Sequence, residues 1–169
     1  REPFIKDIIN AKDQLFYTRP TEPLMRNILR YLLYTIEESD LRDIKELKTL
    51  LSISAQEFLY NIDKEQNRIA EIGANMIEDN IVVITHCHSS TVTKILTLAK
   101  KHGKDFSVLC TETRPLYQGR ITAKELVDAG IKTKMIVDSA ISTFIRKADI
   151  ALVGCDLITS DMNMLNKIG

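Results

Sequence analysis

The sequence predicts an α/β protein in two parts, a helical domain over residues 1–78 and the first part of a parallel-sheet domain over residues 79–169. Three observations carry this. Apolar residues recur at helical spacing until about residue 77; after Asp79-Asn80 four short β-branched runs alternate with amphipathic stretches; and Gly103 and Gly130 stand where helices should stop and hand over to strands.

In order along the chain, "TEPLMRNILRYLLYTIEES" places Thr21 as an N-cap, with Glu22 and Pro23 in the first turn. Leu24, Ile28, Leu32 and Ile36 then line one face. Ser39-Asp40 break the pattern, and a second one runs from Leu41 to Ile77 through Ile44, Leu47, Leu51, Phe58, Ile62, Ile69 and Ile72. Each segment has one apolar face to bury, so the helices should pack on each other. Beyond residue 79, "IVVITH", "FSVLC", "KTKMIVD" and "IALVG" predict strands near 81–85, 106–110, 132–137 and 149–154. Helices are expected over 90–102, 119–129 and 139–147.

Composition narrows the function. Lys+Arg and Asp+Glu both number 23, so the chain lacks the basic excess that marks nucleic-acid binders. No apolar stretch approaches the length of a membrane span and no signal peptide is visible. Cys87, Cys110 and Cys155 are odd in number and widely spaced, which fits reduced thiols in a cytoplasmic protein. A start on Arg1 and an end on "NKIG" are those expected of a piece of a longer chain.

Open α/β sheets bind ligands beyond the carboxyl ends of their strands. Four sets of polar or reactive residues fall there: His86-Cys87-His88-Ser89-Ser90, Thr111-Glu112-Thr113-Arg114, Asp138-Ser139 and Cys155-Asp156. A metal centre at His86-Cys87-His88 is disfavoured, because side chains of an extended backbone alternate faces and no second cluster completes the ligand set. Cys87 is open to two readings, a small buried hydrophobe or a thiolate favoured by the helix start behind it. Ser89, Ser90 and Thr91 suit an N-cap and a phosphate. Arg114 suits a phosphate or an ion pair with Glu112. Asp156 suits a general acid or base, or the cap of a turn. Gly154 would let the backbone bend or approach a ligand, and Asn166-Lys167 offer an amide and a cation.

Taken in order, "THCHS", "TETRPLYQGRITAKEL", "IVDSA", "VGCD", "NKIG" and, upstream, "RPTEPLMRN" resemble one family. It joins ribose-1,5-bisphosphate isomerase, 5-methylthioribose-1-phosphate isomerase and the regulatory subunits (alpha, beta, delta) of eukaryotic translation initiation factor 2B. The resemblance covers most of the chain and implies that the sheet domain is Rossmann-like and truncated at its C-terminus. It makes Cys87 and Asp156 the catalytic pair, and Arg26, Ser89, Arg114, Asn166 and Lys167 contacts to a phosphorylated sugar. The regulatory subunits typically lack this Cys/Asp pair, which favours an isomerase. "ITAKEL" and "THCHSSTV" look closer to the archaeal ribose-bisphosphate type than to the methylthioribose type. The implied reaction, ribose 1,5-bisphosphate to ribulose 1,5-bisphosphate, needs no metal or other cofactor. The implied assembly is a homo-oligomer, a dimer or hexamer. The alternative branch would be a regulatory protein in contact with initiation factor 2. The chain departs from the family pattern in having no glycine-bearing phosphate loop upstream of Arg1 and no glycine in the turn before "NKIG".

Overall fold

The computed structural model describes residues 1–18 and 23–166; the Thr21 N-cap and Lys167 expected from the sequence lie outside the described residues. The chain divides into two compact units, Arg1–Lys64 and Glu65–Gly169, each built around its own contacts.

The first unit contains α1 (Glu2–Thr18), α2 (Pro23–Glu37) and the start of α3 (Ile44–Met76). Pro23 opens α2, where its missing N–H costs nothing. Arg1 donates to the carbonyls of Ile36 and Glu37 at 3.0 and 2.7 Å, placing a cation on the α2 carboxyl end. Asp43 caps α3 by accepting the Lys45 N–H at 3.1 Å. Of the expected apolar faces, Ile36 and Leu47 are fully buried, whereas Leu24, Ile44, Ile69 and Ile72 are exposed.

The second unit takes the rest of α3 and a four-stranded sheet. Its strands are β1 (Val82–Thr85), β2 (Ser107–Thr111), β3 (Lys132–Ile136) and β4 (Ile150–Ala151), in the order β3-β2-β1-β4 and all parallel. The helices α4 (Ser90–Lys101) and α5 (Gly119–Asp128) connect β1 to β2 and β2 to β3. Ala70 and Ala74 of α3, Ile95, Leu96 and Ala99 of α4, Leu126 of α5 and the strand residues Val83 and Val108 form one core. Removing this apolar surface from water is what holds helices and sheet together.

Both glycine stops are Schellman caps. Gly103 has φ +85°, its N–H donating to Lys100 and that of Lys104 to Ala99; Gly130 has φ +75°, with the matching bonds to Val127 and, from Ile131, to Leu126. Lys100 and Lys101 in the last turn of α4 complement its dipole.

Two elements differ from the sequence expectation. The strand expected over 149–154 is only Ile150–Ala151, plus two flanking bonds, from the Asp149 N–H to the Val82 carbonyl and from the Leu152 N–H to the Ile84 carbonyl. Beyond Thr85 the chain leaves the sheet through Cys87 at φ +66°, so residues after Leu152 find no ladder to join. The helix expected over 139–147 breaks into a 3-10 turn (Asp138–Ala140), the four-residue α6 (Ile141–Phe144) and a second 3-10 turn (Ile145–Lys147). No side chain caps any of the three pieces. A short antiparallel hairpin, β5 (Leu157–Ile158) with β6 (Met164–Leu165), follows β4 and was not foreseen.

Candidate active site

The strand order reverses between β1 and β4, so the carboxyl ends of these two strands flank the topological switch point. His86 and Cys87 leave β1 there, and the segment from Leu152 to Asp156 leaves β4. The two loops meet: a Cβ added to Gly154 would lie 3.2 Å from Cβ and Oγ of Ser89 and 3.7 Å from Oδ1 of Asn166. Ser89, Gly154 and Asn166 are thus brought together. Gly154 serves close approach, here to protein side chains.

Ser89 is the N-cap of α4, with extended backbone and its hydroxyl accepting the Val92 N–H at 3.4 Å. Cys87 therefore sits just ahead of a helix start, as its sequence position implies. Its side chain is buried, with Sγ 3.6 Å from Oε1 of Gln118. The premise of an extended backbone through His86-Cys87-His88 does not hold, because Cys87 is left-handed. The three side chains go to three different partners: His86 Nδ1 lies 2.6 Å from the Thr111 hydroxyl, and His88 Nδ1 lies 3.1 Å from that of Thr122.

A cage of threonines holds the Cys87 peptide. Its N–H donates to the Thr113 hydroxyl at 2.8 Å, and its carbonyl accepts from the Thr122 hydroxyl at 3.0 Å. Thr113 is itself left-handed, at φ +60°, and its N–H donates to Asp138 Oδ1 at 2.8 Å while the Arg114 N–H donates to Oδ2 at 2.8 Å. Burial pushes the Asp138 carboxyl up, but these two N–H bonds, the His86 charge and the Thr111 hydroxyl outweigh it and hold the group below its ordinary range.

The remaining expected residues are placed as follows. Arg114 lies between β2 and α5, exposed, with Nε 3.0 Å from Glu112 Oε1 and its guanidinium 5.4 Å from the Tyr117 ring centre. The ion-pair reading of the sequence thus describes its state here, and the pair keeps the guanidinium protonated. Asp156 is exposed at the start of the hairpin, its N–H donating to the Leu165 carbonyl at 2.9 Å. Cys87 follows the end of β1, whereas Asp156 lies beyond β4 at the foot of the hairpin, and no hydrogen bond among the described residues joins them. The hairpin tip lacks glycine and instead puts Met162 at φ +65°. Asp161 braces it, accepting from the Thr159 hydroxyl and, at 2.6 Å, from Asn163 Nδ2. Arg26 belongs to the first unit: its guanidinium lies 5.0 Å from the Phe16 ring centre, with Arg30 at 5.8 Å and Lys12 at 5.5 Å, and its Nε is buried without an acceptor among the described residues.

Sequence reasoning missed Gln118, Thr113 and Thr122 as neighbours of Cys87. Their offsets of 26 to 35 residues follow no local period, and "TETRPLYQG" gave only a position between a strand and a helix.

The chain is 41% identical over 170 residues to the ribose 1,5-bisphosphate isomerase of Thermococcus kodakarensis, covering 99% of this chain and 53% of that protein. The chain spans about half the length of the curated relatives it matches. Its fold superposes on the translation initiation factor eIF-2B of Pyrococcus horikoshii with a TM-score of 0.83 and 33% identity, covering 94% of this chain and 54% of that one. It superposes on 5-methylthioribose 1-phosphate isomerase from the same organism with a TM-score of 0.81 and 25% identity, covering 99% of this chain and 50% of that one. No helix among the described residues is long and apolar enough to cross a membrane. Residues 1–169, the helical segment and the β3-β2-β1-β4 sheet alike, match a single family, and the chain belongs to the Initiation factor 2 subunit family.

Proposed function

We propose that this chain is part of a sugar-phosphate isomerase that converts ribose 1,5-bisphosphate to ribulose 1,5-bisphosphate, with Cys87 and Asp156 as its acid–base pair. The observation that carries the reading is a thiol held at the switch point of the sheet, in a chain 41% identical to a protein named for that reaction. The chemistry asks for two proton-handling groups. One gives a proton to the ring oxygen as its bond to C1 breaks; the other takes the proton of the 2-hydroxyl as hydrogen is transferred from C2 to C1. Carbon C1 is reduced and C2 oxidised within one molecule, so no external oxidant or reductant enters.

A thiol and a carboxylate divide such tasks when their surroundings differ. Here Cys87 is buried and Asp156 exposed. Ser89 and Asn166, at the contact of the two loops, would orient hydroxyls or a phosphate, and Lys167 would contribute a cation. Arg114 would turn from Glu112 to a phosphate. Arg26 would take a phosphate in the whole protein; its buried Nε has no acceptor among the described residues, and Lys12 and Arg30 approach the same Phe16 ring, which supports an anion there. Positioning of this kind supplies much of the acceleration in such reactions.

The test is turnover of ribose 1,5-bisphosphate by the wild-type protein, Cys87→Ser and Asp156→Asn. Loss of turnover in both variants is expected; no turnover by the wild type, or unchanged turnover in both variants, would sink the assignment. A second reading, a regulatory protein, draws on the likeness to translation initiation factor eIF-2B. Capture of initiation factor 2 together with no isomerase activity would favour it. Turnover of 5-methylthioribose 1-phosphate alone would favour the other isomerase.

A further inference from the structure

Cys87 and Thr113 both occupy the left-handed region, at φ +66° and +60°, and neither is glycine. For a β-branched residue such as Thr113 this is a conformational outlier, which persists only where its surroundings over-determine it. The surroundings are specific. Asp138, from the end of β3, fixes the Thr113 and Arg114 N–H groups; the Thr113 hydroxyl then accepts the Cys87 N–H; and Thr122, from α5, donates to the Cys87 carbonyl. Thr113 has 2% of its surface exposed and Thr122 1%, so water cannot substitute for either hydroxyl. His86 closes the far side through Thr111, whose hydroxyl lies 3.4 Å from that of Thr113. The Thr113 and Thr122 hydroxyls bond the N–H and carbonyl of Cys87 rather than its sulfur, so they act on its backbone conformation.

We propose that Thr113, braced by Asp138, is the positioning residue for the Cys87 thiol: by accepting the Cys87 N–H it holds that residue left-handed and so fixes where Sγ stands at the switch point. This rests on Cys87 being the reactive thiol of the proposed function. It assigns a role to a residue that would touch neither substrate nor the reacting atoms. Without the acceptor, Cys87 relaxes towards ordinary backbone angles and its buried thiol swings outward.

Two readouts separate this proposal from the isomerase assignment. The first is the rate of iodoacetamide labelling of Cys87, measured by peptide mass spectrometry against the exposed Cys155 in the same molecules. The second is kcat and KM for ribose 1,5-bisphosphate. Thr113→Val keeps the shape and removes the acceptor; Thr113→Ser keeps the acceptor. For the valine variant, labelling of Cys87 relative to Cys155 should rise about tenfold and kcat fall about a hundredfold, the scale of a misplacement of ~1 Å, with KM changed less than about twofold. The serine variant should restore both. Valine within about twofold of wild type in labelling overturns the proposal, and so does serine behaving like valine, since the methyl rather than the hydroxyl would then matter. Should the valine variant not fold, Asp138→Leu, which has no acceptor for the Thr113 N–H, is expected to raise Cys87 labelling in the same direction; unchanged labelling, or failure of both variants to fold, overturns the proposal. A wild type without turnover removes the isomerase assignment alone, because the labelling arm needs no substrate.

Discussion

Replacing Gly119 by alanine tests the junction that carries the threonine cage. Gly119 opens α5 with its backbone pressed on the end of β2. An added Cβ would fall inside the contact radius of the Thr111 carbonyl oxygen, 2.9 Å from the Thr111 carbonyl carbon and 3.2 Å from that of Glu112. All three obstacles are main chain, so no change of rotamer relieves them. Overpacking costs ~1–3 kcal/mol in cores that can adjust, and a backbone obstacle belongs at the upper end, ~3 kcal/mol. Alanine recovers up to ~1 kcal/mol of helix propensity over glycine, leaving a net loss of about 2 kcal/mol. In a unit of roughly a hundred residues this lowers Tm by about 8–16 °C. Urea unfolding followed by circular dichroism should show a reduced midpoint at unchanged slope. Gly103→Ala is the control: its φ of +85° lies in open space, so conformation alone costs it about 1 kcal/mol. If Gly119→Ala stays within about 0.5 kcal/mol of wild type, the close approach of α5 to Thr111 is wrong, and with it the placement of Thr122 on the Cys87 carbonyl.

The other outcomes are simpler to read. Burial pushes the Cys110 thiol up to about 12, so at mildly alkaline pH alkylation should reach exposed Cys155 and leave Cys110 untouched until urea unfolds the chain. Asp138 titrates below its ordinary 3.8 in the folded chain, so its contribution to stability is complete above that value and disappears as pH falls through the lower folded value. The stability gap between wild type and Asp138→Asn, read from urea midpoints, should therefore close only below about pH 3.8; a gap that is constant with pH refutes the bonding described. Ser89→Ala should cost about 1 kcal/mol and Ser89→Gly only a few tenths, the order expected of an N-cap. Leu96→Ala, at a fully buried position of α4, should cost about 2–5 kcal/mol in the same denaturation assay.

How far the sequence could be read follows from the range of the forces involved. The caps at Gly103 and Gly130 are local, each closed by bonds over a few residues, and both were legible, as were the strands that run long enough to show β-branched texture. The pairing of Ser107 through Thr111 with Lys132 through Ile136 follows once β1, β2 and β3 are recognised. Short elements failed where a neighbour decided them. Whether residues 152–154 extend β4 depends on how β1 leaves the sheet at Cys87, and whether 139–147 forms one helix depends on what caps it. The site divides the same way. Position at a strand end singled out Cys87, Ser89, Arg114 and Asp156, because topology brings strand ends to one edge whatever the side chains are. The Thr113–Cys87 bond spans 26 residues and the Asp138–Thr113 bond 25, and no spacing rule encodes either.

The choice of threonine for the cage bears on how the thiol could work. Thr111, Thr113 and Thr122 are each almost fully buried around the Cys87 peptide, and each hydroxyl both donates and accepts without carrying charge. A glutamate could accept the Cys87 N–H and a lysine could donate to its carbonyl, but either would impose a fixed field on Sγ at close range, where low dielectric magnifies it. Asp138, whose carboxyl is held ionised, has both oxygens engaged by main-chain N–H groups. The cage therefore fixes the position of the thiol and leaves its protonation to the open side, to the amino end of α4 and the loop that follows β4. A proton-shuttling thiol needs both states to be accessible during turnover, and uncharged threonine hydroxyls on its main chain permit that. Substitutions in the β4 loop should then shift the pH profile of the reaction, whereas loss of a cage hydroxyl should lower its rate at every pH. Asp156→Asn and Thr113→Val, compared across pH, separate the two, and a pH profile displaced by the valine variant would refute the division.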